Sequence, residues 1–381
     1  KMFADIDMGP YELNIKNIEF VYKKMNINDN VRYRLDLGTD SYAKGKIPAD
    51  KVSELIRILK EFAGIMKSYK VSNYKAYGTS AIREVRNKKI LIDQIEQRTN
   101  IKIDVLSNSE QRFLNYKSVA SKGVDFLKII EKDTAIIDIG GGSIQISLFN
   151  NGKLDVSQNI DIGAIRLLGN IKSFDVKTSR YEDLLEEMVS SQLTVFARLY
   201  LQNRKIENLI IVDDYLSPMV WNVTGKNQMQ GFMDCRAFFD FVDTLKGLDA
   251  GVLAGSYSEE LENKELVGVS AALIKETIEI TGAKQIWAPG VTLTDGIAYE
   301  YGEKRHLISL EHDFEEDIIA FARYISLRYM GDEKRCRNLE NISLKLFDAM
   351  KSVHGLKERD RLLLRMAAIL HECGKYISMH N

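Results

Sequence analysis

The sequence predicts an α/β chain of two related halves followed by an all-helical segment. Three observations carry this. Strand-like and helix-like periodicities alternate from the N-terminus to about residue 305. Ile6-Asp7-Met8-Gly9 is echoed by Ile137-Asp138-Ile139-Gly140, each closing an apolar strand and leading into an alternating one. Beyond Arg305, three amphipathic stretches follow with no strand pattern between them. The expected divisions are 1–125 and 126–305 for the two αβ domains and 306–381 for the helical module, which reads as incomplete because the sequence stops soon after its third helix. A duplicated half that opens on an Asp-x-Gly hairpin places two such turns face to face across a cleft.

Each element has its own signature. Phe3 to Gly9 is a short apolar strand, and Leu13, Ile15, Ile18 and Phe20 give Tyr11 to Tyr22 a rough two-residue alternation. In Ala49 to Tyr69, Val52, Leu55, Ile56, Leu59, Phe62, Ala63 and Met66 recur at steps of three and four, the face of a helix. Tyr74 to Thr79 reads as a strand, Lys88 to Arg98 as a helix, Ile101 to Leu106 as a strand and Ser109 to Ser121 as a helix. The second half opens with the strand Thr134 to Ile139. Ile144 to Phe149 and Leu154 to Ile160 then flank Asn151-Gly152, a favoured two-residue hairpin turn. Tyr181 to Leu201, Glu265 to Thr281 and Thr292 to Tyr301 are expected helices, with strands at Asn208 to Val212 and Gln285 to Ala288. The helical module comprises Asp313 to Met330, Cys336 to Val353 and Glu358 to Cys373. Trp221, Trp287, Cys235 and Cys373 are expected in the core.

Composition excludes several function classes. The 53 Lys+Arg balance 54 Asp+Glu for a net charge of −1, which argues against a broad DNA-binding footprint but not against a local phosphate pocket. No apolar run approaches the ~20 residues of a membrane span. Three widely spaced cysteines exclude a disulfide framework and fit the cytoplasm.

Two segments could carry chemistry. Gly140-Gly141-Gly142-Ser143 follows a strand, so its backbone N–H groups can approach an anion with no Cβ in the way, and Ser143 adds a hydroxyl. Asp138, just before it, could hold Mg²⁺ through water. Gly78-Thr79-Ser80-Ala81, running on to Arg83, is the second, with hydroxyls and a guanidinium suited to phosphate. Tight structural turns would produce both patterns as well.

Taken together, the motifs resemble one family. Tyr77 to Asn87, Leu106-Ser107, Ile137 to Ser143 and Ile162-Gly163-Ala164-Ile165-Arg166-Leu167 come in the order and spacing of the exopolyphosphatase/guanosine pentaphosphate phosphatase (Ppx/GppA) family. The stretch Ala367 to Glu372 is similar to the family's C-terminal HD-like helices. The resemblance implies two actin/Hsp70/sugar-kinase-like (ribonuclease H-like) domains facing a cleft. It also implies Mg²⁺-dependent hydrolysis of the terminal phosphoanhydride of polyphosphate or pppGpp. Gly78, Thr79, Ser80, Arg83, Gly140, Gly141, Gly142, Ser143 and Arg166 would bind phosphate, and Asp7 and Asp138 would hold Mg²⁺. Polyphosphate or a guanosine penta- or tetraphosphate would be the ligand, with neither DNA nor membrane as partner and a homodimer as the expected assembly.

The departures from that pattern are specific. The family's Asp-Leu-Gly-Ser-Asn-Ser is here Asp7-Met8-Gly9-Pro10-Tyr11-Glu12, which loses two hydroxyls and, at Pro10, a backbone donor. The second Glu of Ser-Gly-x-Glu-Glu-Ala, which activates water, falls on Gln111 of Ser107-Asn108-Ser109-Glu110-Gln111-Arg112. An amide takes no proton at neutral pH, and loss of a general base typically costs ~10²–10⁴-fold. Glu110 substitutes for it only with a one-residue shift around the helix. The acidic position of Gly-Gly-Gly-Ser-Thr-Glu falls on Gln145, and Asp213-Asp214 stands where a Gly-Gly-Thr loop is expected. Two readings follow: a hydrolase weakened by lost carboxylates, or an inactive member that binds a phosphorylated ligand or regulates a partner.

Overall fold

The structure, a computed structural model, describes residues 1–174, 180–225, 230–247, 264–310 and 312–376. The first sheet begins as an antiparallel meander of β1 (Met2–Met8), β2 (Glu12–Val21) and β3 (Lys24–Arg34), joined by β4 (Tyr74–Gly78) and β5 (Asp104–Val105) parallel to β1. The second repeats the plan with β6 (Thr134–Ile139), β7 (Ile144–Asn150), β8 (Lys153–Ile160) and β9 (Asn208–Val212), then adds β10 (Phe232–Asp234) and β11 (Gln285–Trp287). The orders β3-β2-β1-β4-β5 and β10-β11-β9-β6-β7-β8 superpose element for element apart from the extra edge strand β10. The Asp-x-Gly echo is therefore the visible trace of a duplicated topology.

Several elements depart from expectation for local reasons. β3 alternates Met25, Ile27, Val31 and Tyr33 with polar residues, a pattern passed over in the sequence, and lies largely at the surface. Its turn uses Tyr22 and Lys23 at φ 50° and 63°, left-handed values without the usual Gly or Asn. The short helix Gly38–Lys44 was likewise without a signal. The expected strand Ile101 to Leu106 shrinks to the two residues of β5, and the helix from Tyr181 ends in a wider turn over Ala197–Leu201. By contrast, the Asn151-Gly152 turn forms as its sequence requires, both residues at positive φ. Trp287 is buried, but Trp221, expected in the core, is only half-buried and faces the cleft. Cys235 is buried; Cys373, also expected in the core, is only partly so.

Burial on one face of each sheet organises the cores. Helix Ala49–Ser68 lays Leu55, Leu59 and Phe62 on the face of the first sheet that carries Ile6 and Ile15. The helices Ala164–Ser173, Tyr181–Phe196 and Lys264–Thr281 cover the Ile137 and Ile146 face of the second. Helix Leu293–Lys304 follows the second sheet in sequence but packs on β1, β2 and helix Asn108–Ala120. Gly296 permits that crossing, since a Cβ there would stand 1.8 Å from the Leu114 carbonyl oxygen. The Phe3 and Tyr301 rings stack at 3.9 Å beside it.

The helical module contains Phe314–Arg328, Glu333–Ala349 and Glu358–Leu370. Buried Glu340 ties the three together by accepting from Arg323 and Arg365 at 2.7–2.9 Å. His371 bonds the Ala368 carbonyl, and Glu372 accepts from the Asp332 N–H, so this pair closes the module rather than lining the cleft. His312 contacts Asp317 at 2.5 Å and Tyr116 at 2.7 Å, docking the module on the helix Asn108–Ala120. Among the described residues no helix is long and apolar enough to cross a membrane.

Candidate functional site

The ends of β1, β4, β6 and β9 open on one cleft of about 730 Å³ between the two sheets. Parallel strands carry ligand sites at their carboxyl ends, because the loops there converge. Registry delivers the side chains: Asp7 pairs with Tyr77 beside Thr79, and Asp138 pairs with Val212 beside Asp213.

Of the residues singled out from sequence, Asp7, Thr79, Ser80, Gln111, Asp138, Gly140 and Gly141 line the cleft. Gly78, Arg83, Glu110, Gly142, Ser143, Arg166 and Gln145 stand behind or beside it. Their hydrogen bonds run within the protein. Thr79 Oγ1 donates to the Met8 carbonyl at 3.1 Å, and Ser80 Oγ lies 2.5 Å from the Tyr42 hydroxyl. Burial pushes that phenol up to about 12, so it stays protonated. Arg83 donates to the Leu106 carbonyl at 2.8 Å and to Gln111 Oε1 at 3.2 Å. Arg166 donates to the Gly142 carbonyl and to both oxygens of Glu84. Glu110 and Ser107 form a reciprocal capping box at the helix start, which turns the Glu110 carboxylate away from the cleft.

Arg112 and Asn115 were missed in sequence. One helical turn apart, they reach Asp138 together: Arg112 Nη1 lies 2.8 Å from Oδ1 and Asn115 Nδ2 donates to Oδ2 at 2.8 Å. Arg112 Nη2 also donates to the Ser143 carbonyl and hydroxyl, at 2.7 and 2.9 Å. The three-residue spacing on a helix beginning at Ser107 was the available signal. This arrangement bears on Mg²⁺. Both oxygens of Asp138 already have partners, and Gln145 is neutral and donates to Ser157. Asp138 and Gln145 therefore offer a divalent cation no free carboxylate oxygen; Asp7, the other expected holder, keeps a buried Oδ1 without a hydrogen-bond partner, but no group of three or more His, Cys, Asp or Glu suited to a metal occurs among the described residues.

The opposite wall is acidic. Burial and the carboxylates of Asp214 and Glu12 hold the Asp7 carboxyl well above the usual range. Asp214 reaches the cleft water, yet enclosure by the walls, with Glu12 and Asp213 nearby, pushes its carboxyl up to about 7. Asp213 has a structural task instead, accepting from the Leu216 and Ser217 N–H groups and the Ser270 hydroxyl. The rim adds Arg32 and Arg34 from the unforeseen β3. The two glycine turns nearly touch, as a Cβ on Gly141 would stand 2.9 Å from Pro10 Cγ.

Residues 22–300 match the Ppx/GppA phosphatase family. Exopolyphosphatase 1 of Mycobacterium leprae is 28% identical over 162 residues, covering 42% of this chain and 46% of that protein. A guanosine-5'-triphosphate,3'-diphosphate pyrophosphatase of Aeromonas hydrophila is 20% identical over 389 residues, covering 98% of this chain and 73% of that one. A bifunctional 3-dehydroquinate synthase/phosphatase of Fusobacterium nucleatum is 27% identical over 178 residues, 43% of this chain and 25% of that protein. The chain thus matches under half the length of two of these relatives. Among solved structures, an exopolyphosphatase from Cytophaga hutchinsonii aligns at TM-score 0.68 and 20% identity over 81% of this chain and all of that one. The Aquifex aeolicus family member aligns at TM-score 0.63 and 17% identity, over 80% of this chain and 98% of that one. These neighbours share the fold of two actin-like domains, and with the match over 22–300 the chain belongs to the Ppx/GppA phosphatase family.

Proposed function

We propose that the chain binds the terminal phosphoanhydride of inorganic polyphosphate or of pppGpp in this cleft and hydrolyses it weakly. The observation that carries the reading is Gln111, on the cleft wall with its Oε1 held by Arg83 and Arg112 next to it in the helix. Burial and the neighbouring Arg112 charge pull the Arg83 guanidinium down from its ordinary value, which reports two cations close together. Arg112 is paired with Asp138, so the positive charge left beside Gln111 to favour an anion is that of Arg83. A glutamine orients an attacking water by hydrogen bonding, as it does in GTPases, but removes no proton from it. Water activation is then left to the phosphate's own oxygens or to solvent, and turnover is slow. The backbone of Gly140–Gly141 and the Thr79-Ser80 turn would meet the phosphoryl oxygens.

Binding without turnover is the second reading. It is favoured by the internal partners of Thr79, Ser80, Arg83, Ser143 and Arg166, each of which a ligand must displace or join. The three free cysteines suit a cytoplasmic setting for either.

Phosphate release from polyphosphate and pppGpp separates the readings, run beside Gln111→Glu. Slow release by the native chain that rises at least about tenfold in the variant supports weak hydrolysis limited by the missing base. No release from the native chain, with binding of either compound by calorimetry, supports the second reading. Neither release nor binding overturns both.

A further inference from the structure

We infer that Arg112 is a built-in counter-ion that takes the place of a divalent cation in this cleft, so that phosphate binding needs no metal. The inference rests on the proposed phosphoanhydride ligand. It is carried by charge, burial and backbone shape together.

Arg112 and Asp138 are both buried, their side chains 4% and 9% exposed. A buried carboxylate requires a compensating positive charge, since leaving it alone in the protein interior is strongly unfavourable. Arg112 supplies that charge at 2.8 Å, and Asn115 satisfies the other oxygen. The guanidinium then continues to Ser143, binding its carbonyl and hydroxyl. One arginine therefore links the carboxylate at the end of β6 to the far end of the glycine turn. A cation coordinated by Asp138 would have to occupy the same volume.

The guanidinium packs against the glycine turn. A Cβ on Gly140 would stand 2.9 Å from Arg112 Nη2 and 3.3 Å from Nη1. A side chain at 140 would crowd both the guanidinium and, at 3.0 Å, the Ser143 carbonyl oxygen to which it donates. Charge balance agrees. A glutamate at 145 beside Asp138 would present two negative charges and call for a divalent ion. Gln145 removes one of them, and a single guanidinium neutralises the other. Gln145 instead donates to the Ser157 hydroxyl on the neighbouring strand. The neutral residue at 145 and the arginine at 112 then fit together, with a fixed monovalent cation at Asp138 in place of a divalent one.

Arg112 is a positioning residue in this account. Buried as it is, it sets the potential and the shape of the Gly140–Ser143 turn. Two measurements on the full chain test it. The first titrates Mn²⁺ and follows the free-ion electron paramagnetic resonance signal. The native chain is expected to leave the signal intact, whereas Arg112→Ala with Gln145→Glu should bind one Mn²⁺ per chain. Arg112→Lys with Gln145→Glu, which keeps a charge at the site, should bind much less. A purely structural arginine would give no such gain. The second is calorimetry with tripolyphosphate. The native chain should bind equally in EDTA and in excess Mg²⁺. In Arg112→Ala, which leaves the Asp138 charge uncompensated, affinity in EDTA should fall roughly 30-fold, the effect of a unit charge about 8 Å away at an effective dielectric near 20, and Arg112→Ala with Asp138→Asn, which removes both charges and keeps the fold testable, should recover most of it.

Stoichiometric Mn²⁺ binding by the native chain overturns the inference whatever the ligand. So does a failure of the alanine-glutamate variant to gain Mn²⁺ while its thermal unfolding stays cooperative. Tripolyphosphate binding that requires Mg²⁺ overturns it and leaves the proposed function standing, whereas binding in neither condition overturns both.

Discussion

Glu84 in the first half and Arg166 in the second are bonded to each other, with Arg166 Nη2 3.0 Å from both carboxylate oxygens. Arg166 Nε holds the Gly142 carbonyl at 2.8 Å, so this pair ties the turn after β4 to the glycine turn after β6. Glu84 is also the competitor a phosphate would meet at Arg166. Both side chains are about one-third exposed, 35% and 31%, so the pair contributes at most ~1 kcal/mol. Glu84→Gln is expected to lower stability by less than that and to raise tripolyphosphate affinity roughly three- to fivefold, the same energy redirected to the ligand. Calorimetry checks it. An unchanged affinity would remove Arg166 from the anion site.

Stability should respond asymmetrically at Arg112 and Asp138. Arg112→Ala strands a buried carboxylate and is expected to cost about 3–5 kcal/mol in urea unfolding. Asp138→Asn in the same chain relieves most of that, because a neutral amide is far cheaper to bury. If the double variant is as unstable as the single one, packing rather than charge holds Arg112 in place.

Gly296→Ala tests the crossing that closes the first half. The alanine methyl would overlap the Leu114 carbonyl oxygen, at 1.8 Å, and neither group is the end of a flexible side chain. The helices must separate, and overpacking of this kind costs about 1–3 kcal/mol or more. Helix Asn108–Ala120 carries Gln111, Arg112 and Asn115, so the shift should also weaken tripolyphosphate binding. A variant with native stability would show that the helices slide apart freely.

The duplicated plan was legible because it is written in short-range pattern. Apolar strands ending in Asp-x-Gly and an Asn-Gly turn need only local chemistry to form. β3 was legible as an alternation of Met25, Ile27, Val31 and Tyr33 but went unread, because Asp29 interrupts it and Tyr22-Lys23 turns without a turn-forming residue. Of the positions singled out in sequence, Asp7, Thr79, Ser80, Gln111, Asp138, Gly140 and Gly141 line the cleft, but their pairing was not readable. Thr79, Ser80 and Ser143 have the hydroxyls a phosphate site wants, yet only the tertiary structure reveals Met8, Tyr42 and Arg112 as their partners. Glu110, one residue from Gln111, was a natural substitute base until the capping box claimed it. Asp213 and Asp214 read alike in sequence, but Asp213 is buried and spent on the Leu216 and Ser217 N–H groups, whereas Asp214 reaches the cleft water.

Asp214 gives the cleft a pH dependence whose sign follows from its environment. A solvated aspartate has a pKa near 3.9. In the folded chain, enclosure together with Glu12 and Asp213 pushes Asp214 up to about 7, and burial with Asp214 and Glu12 raises Asp7 in the same direction. Between about pH 4 and 7 the folded chain therefore keeps protons that the unfolded chain releases. Stability is expected to fall as pH rises through that window, and the loss is complete once Asp214 is ionised in both states. Because the Asp214 side chain touches water, the effect is small in size but fixed in sign. Its charge also repels an anionic ligand. Tripolyphosphate affinity should therefore weaken as pH passes 7, beyond the change in the ligand's own ionisation. Asp214→Asn should flatten both trends, as read from urea midpoints at pH 5 and 7.5 and from calorimetry at pH 6 and 8. Native stability that rises over the same interval, or an asparagine variant with an unchanged pH profile, would mean that the acidic wall is neutralised by Arg32 and Arg34 rather than by protons.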